Sequence, residues 1–112
     1  MTATWRVIFL ALLICTGVVP VRADEQLSLI LTIKDHRFEP AELNVPAGRP
    51  FVIRIKNLDP AVEEFESAAL KIEKIIAGGS EGTVRIRGLD RGRYEFTGEF
   101  HAETAKGILI AE

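Results

Sequence analysis

The chain has 112 residues, with 14 Lys and Arg against 16 Asp and Glu, a formal net charge of −2. That balance excludes a basic nucleic-acid surface as the basis of function. A single cysteine, Cys15, excludes an internal disulfide, a multi-cysteine zinc site and an iron–sulfur cluster.

Residues 1–23 read as a secretory signal peptide. Arg6 precedes an apolar run over 7–14 that is short for a bilayer span, and Val21 and Ala23 stand at the −3 and −1 positions. Cleavage after Ala23 leaves 89 residues, removes Arg6 and Arg22, and brings the charge to −4. It also removes Met1, Trp5 and Cys15, so the mature chain has neither thiolate nor thioether. Two other readings stay open. The stretch L-L-I-C over 12–15 is a lipoprotein acylation box, although Ile14 is bulkier than such boxes place there, or the segment is an uncleaved anchor. Export without disulfides fits a bacterial periplasm. Residues 24–112 are expected to form one domain that does not span a membrane.

Along that domain the apolar period is two. Leu27, Leu29, Leu31 and Ile33 alternate with Ser28, Ile30, Thr32 and Lys34. Phe51, Ile53 and Ile55 do the same, as do Val84 and Ile86, and Tyr94 and Phe96. One-sided alternation marks half-buried strands. Pro46-Ala47-Gly48, Asn57-Leu58-Asp59-Pro60, the run over 78–82 and Asp90-Arg91-Gly92 supply turns between them. Residues 67–76 contain good helix formers and a candidate cap in Ser67, but their apolar positions fit neither period. The reading is a turn at Ser67-Ala68-Ala69 and then a strand over 71–76. Residues 107–111 form a last strand. About seven strands with turns every 8 to 12 residues predict an all-β fold, a single Greek-key antiparallel β-sandwich.

The order of motifs resembles the cupredoxins. H-R-F-E-P-A-E-L-N-V-P-A-G over 36–48 looks like their opening strand pair, and Asn57-Leu58-Asp59 is similar to the step into their first ligand loop. Y-E-F-T-G-E-F-H over 94–101, followed by G-I-L-I over 107–110, resembles their closing strands. The resemblance implies a cupredoxin-like domain and tests for its copper ligands. The ligand Cys corresponds to Gly98, the second His to His101, the axial Met to Ala105 or Lys106, and the first His to Glu63 or Glu64. An ordinary blue-copper site is therefore excluded, because that site needs a thiolate. Residues 63–67, 73–76 and 98–101 resemble the EfeO-type and FtrB-like proteins of bacterial ferrous-iron uptake. In many EfeO-type sequences Cys stands where this chain has Phe38 and Gly98. The resemblance implies an inner-membrane iron permease and a periplasmic iron-binding protein as partners, and Cu(II) or Fe as the bound metal.

Candidate ligands follow. In an extended segment Glu64 and Glu66 share one face and Phe65 points to the other. The pair is a hard-to-borderline donor set for Fe, Mn, Zn or Cu(II), or a solvated acidic loop. His101 is a candidate ligand in a loop between two strands, or a hydrogen-bonding loop residue. His36, at the end of the first strand, is a weaker candidate for the same end of the sandwich. Glu63 and Glu73 are undecided. Glu73 interrupts an apolar run and either faces water or meets a metal or a cation such as Arg54, Arg85 or Arg87. Arg85, Arg87, Arg91 and Arg93 balance charge or form a docking face. No Ser–His motif or phosphate loop is present, so a hydrolase or kinase is not expected. The functional expectation is ferroxidase-like oxidation of Fe(II) or iron transfer to a permease. The alternatives are a non-redox metal carrier and an interaction subunit without a working metal site.

Overall fold

The computed structural model describes residues 2–4, 11, 14–17 and 26–112. The expected signal peptide and its cleavage point fall largely outside the described residues. Cys15, which is described, is exposed and free.

The alternation seen along the chain becomes strands because each strand has one face to bury. The elements are β1 (Leu27–Lys34), β2 (Arg37–Glu39), β3 (Glu42–Val45), β4 (Phe51–Asn57), β5 (Glu63–Ser67), β6 (Ile72–Ile76), β7 (Glu81–Ile86), β8 (Gly92–Gly98) and β9 (Lys106–Ala111), with one 3-10 turn over Glu99–His101. They form two sheets, ordered β2-β1-β4-β7 and β3-β9-β8-β5-β6. The expected all-β sandwich is present, with two corrections. Among the described residues there are nine strands rather than about seven, because β2 and β3 hold only three and four residues and are too short to display a period. The sheets are also mixed rather than purely antiparallel, since β1 runs parallel to β4 and β3 parallel to β9.

The inward faces meet in one core. Leu31, Ile33, Phe51, Ile53, Ile55, Phe65, Phe96 and Leu109 are buried there. Phe38, Phe65 and Phe96 pack as a trio, with centroids 6.0 Å apart for Phe38–Phe65 and 5.1 Å for each contact to Phe96. Edge-on and tilted rings suit the aromatic quadrupole. Ser67 ends β5 as a turn residue rather than a helix cap. Its hydroxyl donates to the Glu95 carbonyl at 2.6 Å and accepts the Leu70 N–H at 3.1 Å. On the other sheet Arg54 pairs with Glu81 at 2.7 Å across β4 and β7. Glu73 points to solvent.

Candidate functional site

The β1–β2 hairpin presents His36. Lys34 pairs with Arg37, so the turn consists of Asp35 and His36 alone. Both have positive φ, 52° and 57°. A two-residue turn of this hand matches the twist of the strands, but it favours Asn and Gly. A bulky residue in this region is strained by roughly 1–2 kcal/mol, so something must hold the turn. That holder is the carboxylate of Asp59, which accepts the Asp35 N–H at 2.8 Å and the His36 N–H at 2.9 Å. Asp59 is fixed in turn by Asn57, whose side-chain oxygen accepts the Asp59 N–H at 3.1 Å and whose amide donates to the Ala61 carbonyl at 2.8 Å. The His36 N–H holds the Asp59 carboxyl below its ordinary 3.8, outweighing the opposing effect of burial.

Asp59→Ala should therefore loosen the hairpin, costing about 1.5–3 kcal/mol for lost hydrogen bonds to a charged acceptor. The pH dependence has a definite sign. A folded-state pKa below the unfolded one contributes stability above pH 3.8, and that contribution is lost as pH falls through the lower folded value. Denaturant midpoints measured between neutral pH and about pH 3 should fall less steeply in the variant than in the parent.

His101 closes the 3-10 turn after β8. Its carbonyl accepts the N–H groups of Thr104 at 3.1 Å and Ala105 at 2.8 Å. The Thr104 hydroxyl donates to the His36 carbonyl at 2.6 Å, which ties this loop to the hairpin. The two imidazoles stack, with centroids 3.6 Å apart and planes 15° from parallel. These are the two histidines of the whole chain.

Beneath them lies Glu63, the first residue of β5, whose side chain is 1 % exposed against 25 % for His101. Its Oε2 contacts His101 Nδ1 at 2.5 Å. Its Oε1 accepts the N–H groups of Phe100 and Glu64, each at 3.0 Å. The space for this carboxylate comes from two small residues. A Cβ added at Gly98 would lie 2.6 Å from the Ala105 Cβ and 2.8 Å from the Glu63 Cδ. Glu63 thus fills the ground in which a side chain at position 98 would project.

Of the four expected ligands, the structure brings His36 and His101 together and sets Glu64 and Glu66 elsewhere. Glu64 and Glu66 lie half-buried on the opposite face of β5, and Glu66 faces Glu73 across the β5–β6 pair. The i, i+2 argument placed Phe65 in the core and the two glutamates on one outer face, as observed. His101 folds over the inner side, where the odd-numbered residues 63, 65 and 67 point. Glu63 shares the parity of Phe65, and that parity, with the small residues Gly98 and Ala105, was the available signal for it.

Burial raises the Glu64 carboxyl above its ordinary 4.5, with repulsion from Glu73, Glu99 and Glu63 adding to it. A raised carboxyl pKa favours the fold at low pH and opposes it once the group ionises. Glu64→Gln should accordingly leave stability at pH 7 unchanged or higher. It should also flatten the stability profile from pH 4.5 upward, as read by urea melts. A loss of stability at pH 7 would contradict this assignment.

Among the described residues no group of three or more His, Cys, Asp or Glu side chains is arranged to hold a metal ion. The donor types decide what the histidine end fits. Two imidazoles with a carboxylate beside them suit a borderline divalent cation such as Cu(II), Zn(II) or Fe(II). They do not suit a copper–thiolate centre, because position 98 carries no side chain and Glu63 occupies its space.

Comparison with known proteins agrees with this architecture. The sequence profile of the cupredoxin-like domain matches residues 6–111. An uncharacterized protein of Rickettsia prowazekii (strain Madrid E) is 39% identical over 87 residues, covering 78% of this chain and 70% of that protein. Among solved structures, auracyanin A, a "blue" copper protein from the green thermophilic photosynthetic bacterium Chloroflexus aurantiacus, superposes with a TM-score of 0.67 at 16% identity. That match covers 78% of this chain and 99% of auracyanin A. The metal-binding domain of the Streptococcus pneumoniae D39 Cu(I)-exporting P-type ATPase CopA, solved with Cu(I), has a TM-score of 0.64 at 20% identity. It covers 76% of this chain and 84% of that domain. At these identities the structural likeness speaks to the fold.

Proposed function

Because the chain belongs to the cupredoxin-like domain family, we propose that it is an exported metal-binding component of a ferrous-iron uptake system, acting in a bacterial periplasm. The observation that carries this reading is the meeting of both histidines of the chain at one end of the sandwich, from segments far apart in sequence, over a buried carboxylate. Nothing in core packing requires two stacked imidazoles there, since His36 is exposed and is held in a strained turn by Asp59. His36 and His101 would hold the metal, with Glu63 beside them. When bound, Cu(II) would supply a one-electron acceptor for Fe(II), the substrate. Glu73, Glu99 and Glu63 act on the Glu64 carboxylate by repulsion, and such a group of carboxylates would attract a cation toward this end. An inner-membrane permease and a periplasmic iron-binding protein are the partners this role requires.

The test is an anaerobic titration of the protein with Cu(II) and with Fe(II), followed by stopped-flow measurement of Fe(II) loss in the presence of dioxygen. The expected result is one bound equivalent of metal and repeated turnover of Fe(II). Loss of a single equivalent would instead mark a carrier without redox turnover. Absence of binding of either metal would leave an interaction subunit. Bound Cu(II) should absorb only weakly in the visible, because residues 24–112 contain no cysteine to form a copper–thiolate bond. An intense charge-transfer band would overturn the imidazole assignment.

A further inference from the structure

The two outer faces of the sandwich carry opposite charge. Side chains alternate along a strand, so the positions between the buried ones point outward. Among the described residues, the outward charges of the β2-β1-β4-β7 sheet are Lys34, Arg37, Arg54, Lys56 and Arg85 against Glu39 and Glu81, a net of +3. Those of the β3-β9-β8-β5-β6 sheet are Glu42, Glu64, Glu66, Glu73 and Glu95 against Arg93 and Lys106, a net of −3. The arginine-rich stretch of the sequence is thereby divided, with Arg85 on the basic face and Arg93 on the acidic one.

The stability of a single copy does not account for this segregation. Lys34 lies directly opposite Arg37 across β1 and β2, and Glu66 directly opposite Glu73 across β5 and β6. Like charges at directly opposed positions destabilise a sheet. Each face thus holds a local repulsion that a surface of the other sign would relieve. Each also exposes a large apolar side chain among its charges, Ile30 at 50% on the basic face and Ile75 at 63% on the acidic one. Stacked sheets lie about 10 Å apart, and outward side chains add to that separation. The screening length at physiological ionic strength is about 8 Å. A body that touches one face therefore meets the charge of that face, with the opposite face largely screened.

We propose that the two faces are complementary to each other, so that the basic sheet of one copy docks on the acidic sheet of a second copy. The occupant follows from charge, because the chain itself supplies a surface that matches in sign and net magnitude. A contact between two different faces is heterologous and leaves one face of each sign free at the ends of a pair. Association should then continue past a dimer as concentration rises. Four strands at about 4.8 Å spacing give a contact roughly 20 Å wide. That is the small end of specific interfaces, so the association is weak and salt-dependent. It requires no metal and does not rest on the function proposed above.

Two double substitutions separate the faces. Arg37→Glu with Arg85→Glu reverses the basic face and turns the repulsion at Lys34 into attraction. Glu73→Lys with Glu95→Lys does the same for the acidic face and Glu66. All four positions are exposed, so both variants should melt like the parent. The full chain is examined by sedimentation velocity at about 0.1 M and about 1 M salt, where the screening lengths are about 10 and 3 Å. At the lower salt the parent's weight-average mass should rise with concentration past that of a dimer. The association constant should fall at least about tenfold at the higher salt. Each variant alone should stay monomeric at the lower salt. An equimolar mixture of the two should form a 1:1 dimer that grows no further. In it the unaltered acidic face of one variant meets the unaltered basic face of the other, and the two altered faces carry only one net charge each. A parent that stays monomeric at the lower salt up to about 1 mM overturns the proposal. So does association that either variant retains, or a mixture that forms no dimer. A monomeric parent that cosediments with phosphatidylglycerol vesicles and not with phosphatidylcholine vesicles also overturns it, assigning the basic face to an anionic lipid surface. If one variant fails to fold, the salt dependence of the parent and the behaviour of the other variant decide.

Discussion

Replacing Phe65 with alanine should lower the free energy of unfolding by about 3–5 kcal/mol. Phe65 is fully buried, and its ring meets Phe38 and Phe96 in the centre of the core. It lies on β5, between β6 and β8, and the cavity left behind would sit between the sheets, where neither can shift without breaking its ladder. The cost is then the lost transfer of the ring from water plus a cavity term that relaxation removes only in part. A domain of this size has only about 5–15 kcal/mol in total, so the variant should be marginally folded at room temperature. Urea denaturation should show a lower midpoint at an unchanged slope. A loss under about 1 kcal/mol would contradict the central position of this ring.

The second large effect concerns metal. His101→Ala and His36→Ala should each weaken Cu(II) or Zn(II) binding by more than about 100-fold, since removing an orienting partner alone costs about 10–100-fold. The two variants separate binding from folding. His101→Ala strips the buried Glu63 carboxylate of its side-chain partner and should lower stability as well, because an uncompensated buried charge is costly. His36 is exposed, and its backbone contacts with Asp59 and Thr104 do not involve the ring, so His36→Ala should bind weakly while melting like the parent. Parent-like affinity in both variants would remove the histidine end as the site.

Much of the β-structure was legible because a period of two is a local property. Leu27 to Ile33 and Phe51 to Ile55 alternate over enough residues to declare both the strand and its buried face, and β1 and β4 follow them closely. The turn at Ser67 and the strand after it were also readable, because Ser67 competes for backbone N–H groups where a helix would need them committed elsewhere. β2 and β3 were not legible as separate strands, having three and four residues.

At the site, sequence by itself determined the chemistry on offer. Two imidazoles, no cysteine or methionine within residues 24–112 and a run of glutamates around Phe65 set the donor types of this domain and leave it no thiolate for copper. Strand parity further determined that Glu64 and Glu66 share a face and that Phe65 opposes them. Only the tertiary structure decided which glutamate meets a histidine. Parity is relative, and it does not say over which face of β5 a loop from the end of β8 will fold. That choice follows from the pairing of β5 with β8, which sets Phe65 opposite Gly98 and carries His101 to the inner side above Glu63. The parallel pairing of β1 with β4 is of the same kind, and so is the grip of Asp59 on the His36 turn. Each depends on contacts between residues distant in the chain, and no local pattern encodes a contact whose two halves are closed only by the fold.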